Sequence, residues 1–166
     1  KLNEDPILSL INPIQLNWTI FALEYFSLLL GFLLLSRKPE KLIVVLQSYI
    51  FLLVFRAVAM YLTPFDPPLR MIPLIDPLVE VFSKGEVLTR DLFFSGHTST
   101  MALLFFSSYN QKQKLFFGIA TVFVGILILL QHVHYSIDVF AAPYFAYAAY
   151  SISKFVYKKV SYDSNE

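Results

Sequence analysis

The chain of 166 residues is 57% hydrophobic and only 15% charged, with a mean hydropathy of +0.61. Soluble domains carry about 25% charged residues, so the composition excludes an ordinary water-soluble domain. The lack of any cysteine excludes disulfides, thiol catalysis and Cys-based zinc sites.

A helix that crosses the bilayer core needs about 20 mostly apolar residues. In chain order, the segment 5–15 is interrupted by Pro6 and Pro13 and is predicted to lie at the interface. Full-length apolar runs at 17–36 and 42–62 predict two spans. The run 71–82 contains Pro73, Asp76, Pro77 and Glu80 and is too short to cross, so it is predicted to be interfacial or re-entrant. A shorter run at 92–109 has Ser95, His97 and Thr98 in its first turns, and runs at 115–133 and 137–157 complete the set. The predicted fold is all-α: one domain over 1–166, a polytopic membrane bundle of about five transmembrane helices with a short interfacial or re-entrant outer segment.

The formal net charge of +1 is uninformative as a total, but its distribution is not. Alternate span ends carry Arg37, Lys38 and Lys41, then Lys112 and Lys114, then Lys154, Lys158 and Lys159. The long segment 63–91 instead holds Asp66, Asp76, Glu80, Glu86 and Asp91 against Arg70, Lys84 and Arg90. Lys and Arg mark the cytoplasmic side. This predicts the N-terminus outside, the C-terminus inside, and His97, His132, His134 and Asp138 together on the non-cytoplasmic face. No repeat, low-complexity stretch or basic tail points to nucleic acid.

Shared side and depth make these residues a candidate phosphoryl-transfer site. His134 and Asp138 are four apart and can meet on one helical face, where a carboxylate fixes the imidazole tautomer and leaves the other nitrogen nucleophilic. His97 opens a separate helix and can act as acid and then base. Gly96 permits close backbone approach, and Ser95 and Thr98 offer hydroxyls at a helix N-terminus suited to phosphate. Glu24 and Arg56 lie inside spans, roughly 10 Å below the outer ends. Charges at that depth need partners: either the two brace each other, or Arg56 grips phosphate while Glu24 orients a histidine or binds a headgroup amine. Asp91 can orient His97 or cap its helix. His132 reads as a packing or interfacial residue. A metal set of His97, His132, His134 and Asp138 would need extended backbone, because residues two apart point in different directions on a helix. No metal and no cofactor is therefore expected.

Three blocks resemble the sphingomyelin synthase family, a branch of the type 2 phosphatidic acid phosphatase superfamily. Arg90-Asp91-Leu92-Phe93-Phe94-Ser95-Gly96-His97-Thr98 is similar to the family block that places Asp six residues before the His of Ser-Gly-His-Thr. His132-Val133-His134-Tyr135-Ser136-Ile137-Asp138-Val139 resembles its His-x-His-Tyr-Thr-x-Asp-Val block. Phe55-Arg56-Ala57-Val58-Ala59-Met60-Tyr61-Leu62-Thr63-Pro64 looks like its Tyr-Arg-x-x-Thr-Met-Tyr-x-Thr block. The resemblance implies His134 as nucleophile, Asp138 as its partner and His97 as acid/base, with Tyr135 in a supporting place. It also implies metal-independent transfer of a membrane phospholipid headgroup to ceramide or another lipid hydroxyl. The family usually has six spans, so the first is missing or precedes Lys1. The phosphatase branch would show Lys-x6-Arg-Pro, whereas Lys84 and Arg90 are separated by five residues without Pro, and Gln131 rather than Arg precedes the histidine block. A lipid hydrolase using water is the alternative within this chemistry. A non-catalytic scaffold or transporter is the alternative outside it.

Overall fold

The computed structural model describes residues 5–63, 66–76 and 94–163. Among them the secondary structure is entirely helical: a 3-10 turn at Leu8–Leu10, then α1 (Asn17–Leu35), α2 (Pro39–Leu62), α3 (Gly96–Ser107), α4 (Gln111–Leu130) and α5 (Ser136–Asp163). The five predicted helices are thus present, with shifted ends. Local chemistry explains several of these boundaries. Pro39 opens α2, where its missing N–H would have been unpaired anyway. Asn110 caps α4 by accepting from the Gln113 N–H at 2.8 Å, and Ser95 caps α3 by accepting from the Thr98 N–H at 3.3 Å.

Helix α3 is the short central element. At 12 residues it is about 18 Å long, less than a bilayer core, and it packs against all four longer helices. Among the described residues, α1, α2 and α4 are long and apolar enough to cross a membrane. Helix α5 is longer, at 28 residues, but contains Pro143 and ends among Lys154, Lys158 and Lys159. The predicted outer run at 71–82 is described only to residue 76 and has no regular secondary structure there, while 5–15 holds only the 3-10 turn.

Large apolar side chains face outward as well as inward. Trp18, Phe26, Ile50, Leu53, Val122 and Phe140 are exposed around the bundle, as in helices that lie against lipid. Lipid tails are as apolar as leucine, so the helices associate through close packing of small residues rather than through exclusion of water. Ala142, Ala146, Ala149 and Ser153 form such a seam on α5, all fully buried. A Cβ at Gly125 would lie 2.9 Å from Val139 Cγ1, so only glycine lets α4 approach the start of α5 so closely.

Gln131, fully buried, fastens the site end of the bundle. Its Oε1 accepts from the Leu16 N–H at 2.9 Å. Its Nε2 donates to Asn17 Oδ1 and to the Ile72 and Pro73 carbonyls at 3.3 and 3.4 Å, and its own carbonyl accepts from the Ile72 N–H at 3.2 Å. One amide thereby ties the N-terminal segment and the 66–76 segment to the end of α4.

Candidate active site

The N-terminus of α3 sits beside that of α5, joined by a hydrogen bond from the Ser95 N–H to the Asp138 carbonyl at 3.1 Å. Each end presents a histidine with a carboxylate at Nδ1. His97 Nδ1 lies 2.6 Å from Glu24 Oε2, and the two side chains are 27% and 9% exposed. His134 Nδ1 lies 3.5 Å from Asp138 Oδ2, with side chains 4% and 0% exposed. A carboxylate at Nδ1 holds the ring with Nε2 directed elsewhere, the arrangement that serves either nucleophilic or acid/base work.

The geometry of the second pair differs from the prediction. Helix α5 begins at Ser136, so His134 precedes the helix and the two groups meet across its N-terminus, not along one face. Asp138 turns back to accept from the Tyr135 N–H at 3.1 Å, the reciprocal half of a capping box with a shorter acid. Its Oδ1 is buried with no hydrogen-bond partner among the described residues. An unpaired carboxylate oxygen is costly to bury; the other oxygen, Oδ2, is the one that faces His134.

His97 opens onto a cavity of about 230 Å³ between α1, α2 and α3, lined by Glu24, Tyr25, Arg56, Asp76, Gly96 and His97 among others. Arg56 packs directly on Gly96: a Cβ there would fall 1.5 Å from its Nη1. The glycine therefore makes room for a guanidinium beside the first turn of α3, where backbone N–H groups also point. The edge of Phe21 rests against the His97 ring at 5.7 Å between centroids. His134 does not line this cavity among the described residues.

The other predicted residues fall as follows. Ser95 and Thr98 are buried, and their hydroxyls bond to each other at 3.1 Å, so they serve the helix cap; the cavity lining has Ser99 and Thr100 instead. Tyr135 donates its hydroxyl to the Asp66 carbonyl at 3.1 Å, holding the 66–76 segment over the site. Burial, then the charges of Asp138, Asp66 and Asp5, hold its phenol above the usual value. Asp91 lies outside the described residues. His132 is buried, adopts φ 56°, and contacts the Ile11 backbone. Desolvation, with Arg70 adding to it, holds its imidazole below the usual range. Among the described residues no three His, Cys, Asp or Glu side chains converge as a metal-ligand set.

Four partners were not predicted. Tyr25 donates to Asp76 at the cavity wall, Gln131 fastens the outer segments, and Asp5 Oδ2 accepts from the Ser136 N–H at 2.7 Å. Asp5 thereby caps α5 from the far end of the chain. Burial raises the Asp5 carboxyl, but hydrogen bonds from Ser136, Ile7 and Leu8 outweigh it and hold the group below its usual value. Of these, only the Asp-Pro at 5–6 carried a sequence signal, as a turn former.

The fold and site together define an integral membrane helix bundle with two carboxylate-backed histidines and an arginine at one end. Residues 90–155 match the family model described as PAP2 superfamily C-terminal, which supports the PAP2 superfamily without singling out a branch of it. No curated protein and no solved structure matches the chain.

Proposed function

We propose that the protein is a lipid phosphotransferase. The observation that carries this reading is the placement of two histidines, each with a carboxylate at Nδ1, on adjoining helix ends, with the Arg56 guanidinium packed on the one that carries His97. Phosphoryl transfer depends mainly on positioning and charge neutralisation, and this set supplies both. The PAP2 superfamily match supports lipid phosphatase or phosphotransferase-type chemistry.

In this reading Arg56 and the first turn of α3 bind the substrate phosphate. His134 Nε2 attacks phosphorus with its lone pair as the bond to the diacylglycerol oxygen breaks. His97 gives its proton to that departing oxygen, and Asp138 balances the charge on the phosphorylated ring. His97 then takes the proton of an acceptor hydroxyl, the acceptor oxygen attacks phosphorus, and the phosphorus–nitrogen bond breaks to restore His134. Glu24 holds His97 in the tautomer and charge state that both steps need. Substrate entry exposes His134, which is buried in the resting arrangement. The acceptor is a lipid hydroxyl of the ceramide type. The excess of Lys and Arg at the other end of the bundle supports an active site on the non-cytoplasmic face.

The cavity size favours a second reading, with water as acceptor. At about 230 Å³ it is smaller than most small-molecule sites and suits one headgroup rather than two lipids. Purified protein in liposomes of mixed phospholipids, with and without ceramide, separates the readings by mass spectrometry beside a His134→Ala control. A ceramide phosphoester absent from the control supports transfer to ceramide. Diacylglycerol with free phosphate or phosphobase and no ceramide product means hydrolysis. No turnover of any lipid, with His134→Ala indistinguishable from the parent, would overturn both.

A further inference from the structure

A second concave site lies on another side of the bundle. It is a groove of about 690 Å³ between the C-terminal half of α3, the first two-thirds of α4 and Pro143 of α5, well within the size range of small-molecule sites. It shares no lining residue with the cavity at His97. Phe106 is nine residues beyond His97 on α3, about 13 Å along the axis, so the groove opens toward the opposite end of the bundle.

Its walls are apolar and its mouth is basic. Phe105, Phe106, Ile119, Val122 and Phe123 line the body, whereas Gln111 and Lys114 stand at the α4 N-terminus. Gly118 is part of the lining, and the Phe105 ring approaches to 3.2 Å of where a Cβ would be. Lys114 is held at the rim with Nζ 5.3 Å from the centre of that same ring.

This end also concentrates cations. Lys38 and Lys41 stand over Tyr109, in the α3–α4 connection, at 4.4 and 5.3 Å from its ring centre. Segments 37–41, 108–114 and 154–159 together carry eight Lys or Arg residues and one acid, Glu40. An apolar groove that ends at Lys114, on the basic end of the bundle, matches an anionic lipid: acyl chain inside, phosphate at the mouth.

We propose that this groove is a binding site for an anionic glycerophospholipid in the leaflet opposite the active site, with one acyl chain along α4 and the phosphate at Lys114. The site is distinct from the reaction centre and does not depend on the proposed chemistry. A zwitterionic lipid fits the apolar body but gains less from the basic rim, so headgroup preference is the signature of the site.

The test is native mass spectrometry of the detergent-solubilised full chain, titrated with dioleoylphosphatidylglycerol or dioleoylphosphatidylcholine. The parent protein should retain the anionic phosphatidylglycerol preferentially. Lys114→Gln should weaken that lipid about fivefold, the value of one lysine near an anionic headgroup, and leave the choline lipid unchanged. Val122→Trp should fill the groove and remove the tightest adduct for either lipid. Ile119→Trp repeats that test from the next turn, with thermal melting establishing that at least one of the two is folded. Equal retention of the two lipids, or a preference that survives Lys114→Gln and a folded tryptophan variant, would overturn the proposal.

Discussion

The two histidine–carboxylate pairs are alike in composition but built in opposite ways. His134 receives its carboxylate from Asp138, four residues on, through a local fold that also caps α5. His97 receives Glu24 from a different helix, 73 positions earlier in the chain. The local pair is the longer, at 3.5 Å, and nearly sealed; the remote pair is close, at 2.6 Å, and faces the cavity. A local pair forms whenever its helix end forms. A remote pair exists only if α1 and α3 dock in register, which makes His97 the more sensitive reporter of bundle integrity.

The largest expected effects separate the two histidines. His134→Ala and His97→Ala should each abolish lipid turnover, but only His97→Ala should still form a phosphorylated protein with an activated donor, detectable by intact-mass measurement. Phosphorylation of the His134→Ala variant at His97 would reverse the assigned roles.

Removing each carboxylate's charge comes next. Asp138→Asn should lower kcat by up to about 10⁴-fold, as when the orienting acid of a catalytic histidine is neutralised. Glu24→Gln should cost about 10²-fold or more through weaker acid/base catalysis and should displace the pH–rate profile, because Glu24 acts through His97. A Glu24→Gln variant with an unshifted profile would reduce that contact to packing.

Smaller effects test Gly96. Gly96→Ala puts a methyl group against the Arg56 guanidinium, 1.5 Å from Nη1 in the present arrangement. A flexible arginine head can swing away, so the protein should fold with a near-normal melting temperature. The displaced cation should then raise KM several-fold more than it lowers kcat; an unchanged KM would remove Arg56 from phosphate binding.

The smallest effects concern the local cap. Asp5→Ala should cost about 1 kcal/mol of stability by leaving the Ser136 N–H without its partner, with turnover retained per folded molecule. The depressed Asp5 carboxyl adds stability that is complete above its unfolded value of 3.8 and is lost as pH falls through the lower folded value. His132 is likewise held below 6.5, so its contribution is complete above that pH and is lost as pH falls through its folded value. On acidification the His132 loss begins first. In a melting-temperature profile, Asp5→Ala should remove the loss that begins below 3.8 while enlarging the His132 loss, because the Asp5 charge favours the His132 imidazolium.

Apolar runs made the five helices legible, because a span reveals itself by length and hydropathy alone. Their ends were less so: α3 spans Gly96–Ser107 rather than 92–109 because Ser95 caps it, and His134 stands outside α5 because Asp138 closes the helix start behind it. Arg56 and Glu24 stood out as charges too deep to be idle, and a histidine was one of the partners expected for Glu24; which histidine it meets, and that Arg56 packs on Gly96, were not legible. Asp91, expected near His97, lies outside the described residues.

By itself, the sequence determined a helical membrane protein, the grouping of His97, His134 and Asp138 at one end, and the basic character of the other. Hydropathy and charge are properties of each residue and survive without knowledge of neighbours. Tertiary structure alone decided that Glu24 serves His97, that Arg56 rests on Gly96, that Asp5 and Gln131 bind distant segments to the site, and that a lysine-rimmed groove flanks α4. Those facts depend on which helix faces meet, and close packing of small residues selects one docking among many that hydropathy leaves equally favourable.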